Sequence, residues 1–228
     1  MSLSFITYPQ DLQQPQTLFV LLHGWGANHQ DLVSIAAGLH LPHCQFLFPN
    51  APFPHPHAPN GRMWYNLETD PLTLMPTIPW FQDGTTDKDN VYLQRSRSEL
   101  TEWLLSLATI TGVPLTQTLL AGFSQGGAMA LDVGVDLGLA GVISCSGYWH
   151  RSTPPENSSA DRRGAPVLMI HGKSDPVIPL RAAYDSAQQL QRSGILVDFV
   201  EYGMGHEIQL PALKRMQQFA ESRLLLLS

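Results

Sequence analysis

Six residues near the middle of the chain, Gly122-Phe123-Ser124-Gln125-Gly126-Gly127, constrain its fold more than any other stretch. They join the apolar run Thr118-Leu119-Leu120-Ala121 to the helix-forming Ala128-Met129-Ala130-Leu131. Gly-x-Ser-x-Gly between a strand and a helix is the form of a nucleophile elbow, a turn so tight that its serine takes strained backbone angles and its neighbours must lack bulk. The strain lifts the hydroxyl clear of the sheet, beside a helix N-terminus whose free N–H groups favour negative charge. Glycine and serine are common, so the weight of this pattern rests on whether the rest of the chain supplies a sheet and partners for the hydroxyl.

The sheet is legible as a series of apolar runs. Phe5–Tyr8 reads as an edge strand. Thr17–Leu22, Gln45–Phe48, Gly141–Ser146, Pro166–His171 and Leu196–Val200 read as further strands, most of them continuously apolar, as in strands covered on both faces. Helical spacing separates them. A helix opening at Asn28 or His29 carries Leu32, Ile35, Ala36 and Leu39 on one face, and one from about 90 to 110 carries Leu93, Leu100, Trp103, Leu104 and Leu107. Gly112-Val113-Pro114 ends the latter. Pro179 opens a helix with Leu180, Ala183, Tyr184, Ala187 and Leu190, and Pro211 starts another with Leu213, Met216, Phe219 and Ala220 inward. Strand and helix in alternation imply a mostly parallel sheet of about seven strands between helices. With no linker or internal repeat, residues 1–228 are expected to form one domain.

Two stretches break the alternation. Ser152–Gly164 is polar and reads as a surface loop. From about 51 to 89, prolines recur among Trp64, Tyr65, Met75, Trp80 and Phe81, and no regular element is clear. Loops of that length are functional or disordered, and the aromatic content favours an ordered excursion that covers one side of a site. Trp25, Trp64 and Met75 are the candidates there for contact with a substrate.

Composition excludes several classes. Of 228 residues 43% are hydrophobic and 14% charged, which describes an ordered globular chain. A net charge of −6 without any basic run argues against a nucleic-acid partner. No stretch approaches the roughly 18 apolar residues of a membrane span, and Met1–Pro9 lacks the pattern of a secretory leader. The two cysteines, Cys44 and Cys145, lie in apolar strand-like settings and read as buried thiols, consistent with a cytoplasmic protein. The assembly left open is a homodimer. His55-Pro56-His57 reads as a surface pair with no third metal ligand at a recognised spacing. Gly24-x-Gly26 lacks the third glycine of a dinucleotide fingerprint, because that position is His29.

In open α/β sheets the site lies beyond the C-terminal ends of the strands. The residues collected there are Gly24-Trp25-Gly26, Ser124, Asp175 and His206. Ser, Asp and His in that chain order are the order of an α/β-hydrolase triad. Ser124 needs a base to become a nucleophile, His206 supplies it, and Asp175 orients the imidazole. The N–H groups of Gln125 and Trp25 are the candidate donors to an oxyanion; the Gln125 side chain has no readable role. Asp161, in a polar loop, and Asp198, inside a strand, are weaker candidates for the acid. His23 and His171, at strand ends, read as buried and bonded to backbone.

Several blocks together resemble the phospholipase/carboxylesterase family, which includes acyl-protein thioesterases and small bacterial carboxylesterases. They are Leu22-His23-Gly24-Trp25-Gly26, Phe48-Pro49-Asn50-Ala51-Pro52, Met63-Trp64-Tyr65, Gly122–Ala128, His171-Gly172-x-x-Asp175-Pro176-Val177-Ile178-Pro179 and Gly205-His206-Glu207-Ile208. The resemblance implies an α/β-hydrolase fold without a separate cap domain, no cofactor, and the same triad and oxyanion donors; no metal site is read. It departs at Trp25, where the family often has a small or aliphatic residue, and in the long proline-rich excursion. Both changes bear on the acyl pocket and point to short- or medium-chain acyl esters, hydrolysed through an acyl-enzyme. Lysophospholipase or acyl-protein thioesterase activity is the alternative, and a non-catalytic binding module the distant one. Activity is expected to rise with pH as an imidazole loses its proton.

Overall fold

A computed structural model describes residues 3–69, 76–77, 91–149 and 164–224. The elements, in chain order, are β1 (Phe5–Tyr8), β2 (Thr17–Leu22), α1 (Val33–Ala37), β3 (Cys44–Pro49), β4 (Phe53–Pro54), β5 (Arg62–Met63), β6 (Glu68–Thr69), β7 (Pro76–Thr77), α2 (Val91–Thr111), β8 (Thr118–Phe123), α3 (Gln125–Gly134), β9 (Gly141–Cys145), β10 (Val167–Gly172), α4 (Leu180–Arg192), β11 (Val197–Tyr202) and α5 (Leu210–Leu224).

Seven of the strands form one sheet in the order β1-β3-β2-β8-β9-β10-β11. All its pairings are parallel except that of β1 with β3, where Phe5 lies opposite Pro49 and Tyr8 opposite Phe46. Alternate residues along each strand point to opposite faces, and the core divides accordingly. Leu18, Val20, Leu22, Leu120, Val142, Val167 and Met169 meet α2, α3 and α4 on one face. Phe19, Leu21, Leu119, Ala121, Ile143, Leu168 and Ile170 meet α5 and the α1 region on the other. With helices on both faces, the inner strands have no solvent side, which is why they read as unbroken apolar runs.

Helix α3 lies directly behind the elbow, and all ten of its residues are buried. Asp132 on it is paired with Arg97 of α2 through two guanidinium nitrogens, Nε to Oδ2 and Nη2 at 2.9 Å from Oδ1, so this carboxylate is buried with its charge matched. Leu93, Leu100, Trp103, Leu104 and Leu107 form the inner stripe of α2, as their spacing predicts. The rim strand β11 is only half-buried along its length. Asp198 on it is paired with Arg215 of α5, and Glu201 accepts from Tyr184 Oη of α4 at 2.5 Å.

Two expectations are corrected. The first helix does not open at Asn28 or His29, because side-chain bonds hold that stretch in turns. Asn28 N–H donates to Asp31 at 2.7 Å, Gln30 N–H to Asn28 Oδ1 at 2.9 Å and His29 N–H to Asn50 Oδ1 at 2.9 Å, and such local bonds compete with the helical ladder. Only five residues, Val33–Ala37, are helical. The excursion after β3 is not without regular structure: β4 pairs with β5 and β6 with β7 as short antiparallel ribbons. The loop at 152–163 and the residues Trp80 and Phe81 lie outside the described residues.

Candidate active site

Ser124 joins β8 to α3 with φ 53° and ψ −119°, a conformation that L-residues rarely adopt. Close approach explains the glycines around it. A Cβ on Gly122 would stand 2.1 Å from the Gly126 carbonyl oxygen, and one on Gly126 would stand 2.2 Å from the Leu22 oxygen. Either contact is far inside van der Waals distance, so the elbow closes against β2 only with both positions bare. The Ser124 N–H donates to the Cys145 oxygen at 2.9 Å, tying the turn to β9.

His206 and Asp175 reach the serine from two loops held together by backbone bonds. After β10, Lys173 N–H donates to the Tyr202 oxygen at 2.8 Å and Ser174 N–H to the Met204 oxygen at 3.1 Å. Gly172 permits this contact, because a Cβ there would lie 2.2 Å from the Gly205 oxygen. The imidazole so placed has Nε2 at 2.9 Å from Ser124 Oγ and Nδ1 at 2.7 Å from Asp175 Oδ2. The serine O–H therefore donates to Nε2, and Nδ1–H donates to the carboxylate. Burial alone would raise the Asp175 carboxyl. The His206 hydrogen bond and the N–H groups of Ile178 and Val177 outweigh it and hold the pKa below the ordinary value.

His171 and His23 stand where the sequence places them. His171 is buried and its Nε2–H donates to the Ile178 oxygen at 2.9 Å, 3.5 Å from Asp175 Oδ2. His23 is buried too. Its Nδ1–H donates to the Gly24 oxygen at 2.8 Å, its Nε2 accepts the Ala51 N–H at 3.1 Å, and burial pushes its pKa down to about 4. Asp198, on β11, is engaged by Arg215 of α5 rather than by His206, and Asp161 lies outside the described residues.

The donors named for an oxyanion lie on the two segments next to the serine. Gln125 opens α3, so its N–H has no intrahelical acceptor. Gly24, just before Trp25, is so close that a Cβ on it would stand 3.5 Å from Ser124 Cβ. In that first loop Gly26 N–H donates to the Arg62 oxygen at 2.9 Å and Ala27 N–H to the Gly24 oxygen at 3.3 Å, while no backbone acceptor among the described residues takes the Trp25 N–H.

Of the residues named for substrate contact, the half-buried Trp25 meets His55 edge-on, with ring centroids 4.0 Å apart. His55 is thus packed against the loop rather than free on the surface. Trp64 is fully buried and is not available to solvent as a pocket wall. Met75 lies outside the described residues. The sequence gives no signal for the Gln125 carboxamide, which donates to the Tyr65 oxygen at 2.7 Å and accepts the Trp64 N–H at 2.8 Å. Both partners are main-chain atoms, which carry no residue signature.

The geometry provides a hydroxyl bonded to a base and a base bonded to an acid, beside the free N–H at the start of α3 and the backbone of the first loop. Such an arrangement can deprotonate the hydroxyl as it attacks a carbonyl carbon and stabilise the oxyanion that forms. Comparison with known proteins agrees. A model of the Phospholipase/Carboxylesterase family matches residues 4–224. An acyl-protein thioesterase 1 of Neurospora crassa is 34% identical over 124 residues, 50% of this chain and 49% of the relative, so the match spans about half of that protein's length. An acyl-protein thioesterase 1 of Kluyveromyces lactis is 25% identical over 98% of this chain and 99% of its own. The solved structure of esterase PE8 superposes with a TM-score of 0.77 at 26% identity, covering 98% of this chain and 100% of that one. Arabidopsis thaliana SOBER1, at 24% identity, shares the fold with a TM-score of 0.73 over 91% of this chain and 99% of its own. The chain belongs to the phospholipase/carboxylesterase family and has the α/β-hydrolase fold.

Proposed function

We propose that the chain is a serine hydrolase that cleaves carboxylic esters of short or medium acyl chains. The observation that carries the reading is the continuous chain of bonds from Ser124 Oγ through His206 to Asp175, built on a serine with positive φ. Ser124 Oγ attacks the ester carbonyl carbon while its proton passes to His206 Nε2. The resulting oxyanion is held by the N–H groups of Trp25 and Gln125. The intermediate collapses, the C–O bond to the alcohol breaks, and the alkoxide leaves with the proton from His206. Water then attacks the acyl-enzyme with His206 as base, releasing the acid and restoring Ser124. No cofactor enters this cycle. The half-buried Trp25 indole, next to Gly24 and packed on His55, supports a small acyl site. The buried free thiols Cys44 and Cys145 support a reducing compartment such as the cytoplasm.

A second reading, thioester hydrolysis on longer acyl chains, is favoured by the relatives named acyl-protein thioesterase. Rates on acetyl, butyryl, octanoyl and palmitoyl esters, with the matching thioesters, separate the two. Ser124→Ala is expected to lower kcat by several orders of magnitude and to abolish labelling by a fluorophosphonate. Labelling at another residue, or activity within about tenfold of the parent, sinks the serine assignment.

A further inference from the structure

The two N–H groups assigned to the oxyanion sit on separate loops, Trp25 after β2 and Gln125 at the start of α3; the strands beneath them pair directly, Leu22 opposite Gly122, and one further residue bonds to both segments. Trp64 touches both. Its backbone N–H donates to Gln125 Oε1 at 2.8 Å, and its indole Nε1–H donates to the His23 oxygen at 3.0 Å, two residues before Trp25. The contact with Gln125 is doubled by the next residue, since the Tyr65 oxygen accepts from Gln125 Nε2 at 2.7 Å. Ser96 Oγ of α2 donates to the Trp64 oxygen and anchors the segment from behind. The His23 end is equally held, its ring bonded at both nitrogens to Gly24 and Ala51.

Burial gives these bonds their leverage. Trp64 is 0% exposed and Gln125 is 1% exposed, so no water replaces a lost partner and each broken bond strands a buried polar group. Every polar group of the Trp64 residue and of the Gln125 side chain is engaged, and the engagements run from one oxyanion loop to the other.

We infer that Trp64 is a positioning residue, a strut between His23 and Gln125 that sets the spacing of the two oxyanion N–H groups. The inference rests on the serine-hydrolase reading above, which assigns those groups. A strut of this kind acts on the transition state more than on the bound ester, because both N–H bonds reach full strength only when the oxygen carries charge. The test uses Trp64→Phe, which keeps an aromatic ring and the backbone N–H but removes the indole N–H, and Gln125→Met, which keeps the side-chain length but removes the carboxamide. For each, kcat and KM on p-nitrophenyl butyrate are measured beside the Ki of an alkyl trifluoromethyl ketone. That ketone adds the Ser124 oxygen to its carbonyl and passes the serine proton to His206, leaving a tetrahedral oxyanion in the same place.

Both variants are expected to lose roughly 10- to 100-fold in kcat, less than the 100- to 1,000-fold seen when an oxyanion donor is removed outright. KM should stay within about twofold, and Ki should rise in proportion to the fall in kcat/KM. The pH at which activity rises should not move, because the strut touches neither His206 nor Asp175. The double variant should fall little further than the worse single one, since both cut the same bridge. A rise in KM with Ki unchanged would make Trp64 a substrate contact and overturn the strut, as would a Trp64→Phe enzyme of unchanged kcat. If Trp64→Phe does not fold, Gln125→Met reads the same quantities. Ser124→Ala, run in parallel, keeps the two failures apart: if it retains activity the serine reading falls, and if it is inactive while Ki is unmoved in the strut variants, only the strut falls.

Discussion

The two oxygens of Asp175 have different partners, and the difference makes a residue-level prediction. Oδ1 accepts from the N–H groups of Val177 and Ile178 at 2.8 and 2.9 Å, while Oδ2 faces His206 Nδ1. In Asp175→Asn the remaining oxygen has to stay with the two N–H donors, so the NH2 group turns toward His206. Nδ1 must then be an acceptor, Nε2 carries the proton, and the ring no longer accepts from Ser124. We expect kcat to fall by about 10⁴-fold with little loss in thermal stability; a drop below tenfold would remove Asp175 from its role. Ser124, Asp175 and His206 are legible in the sequence because each sits in a short local motif at a strand end. The roles of Trp64 and the Gln125 carboxamide are not, because the indole bonds to a backbone oxygen 41 positions away and the carboxamide to backbone atoms 61 and 60 positions away, and backbone atoms leave no mark on composition.

At the level of elements, the end of β10 and the turn after β11 act as one unit. Gly172 has no room for a methyl group, which would stand 2.2 Å from the Gly205 oxygen and 2.4 Å from the Met204 oxygen. Gly172→Ala must therefore push back the turn that carries His206 while leaving Asp175 on its own side of the seam. Misplacement by about 1 Å costs on the order of 100-fold in rate, and overpacking costs about 1–3 kcal/mol in stability. Kinetics and denaturant unfolding of the same preparation check both, and an unchanged kcat would show that the turn is not held by this contact. Element type was legible wherever both faces of a strand are covered, as in Thr17–Leu22 and Thr118–Phe123, because an unbroken apolar run admits few alternatives. It was not legible where tertiary bonds decide the backbone. Asn50 reaches His29 from another loop and helps hold 28–31 out of the helix. Pro54 lies in a ribbon whose partner Arg62 donates to the Ala51 and Pro52 oxygens, a link no periodicity foretells.

Taken as a whole, the molecule keeps its neutral histidines buried near the site, and this sets its response to acid. Burial pushes the His23 pKa from its ordinary value of 6.5 down to about 4 in the folded chain. Between those values the unfolded chain holds the extra proton. Its contribution to stability is complete above about pH 6.5, is lost as pH falls toward 4, and amounts to about 3 kcal/mol. Burial lowers His171 in the same direction, and Asp175, held below its ordinary value, adds a further loss at lower pH. The urea midpoint should therefore fall steadily from pH 7 to pH 4, and a flat profile would show that these rings are not sealed from water. The sheet order has a further effect, on durability. Ser124 follows β8 in the interior of the sheet, whereas His206 follows β11, a half-buried strand at the rim. Rims open to solvent before centres do, at a free-energy cost well below that of global unfolding. Peeling of β11 is therefore expected to carry His206 away from Ser124 while the interior pairs of the sheet stay closed, so that a preparation keeps most of its fold after it has stopped turning over.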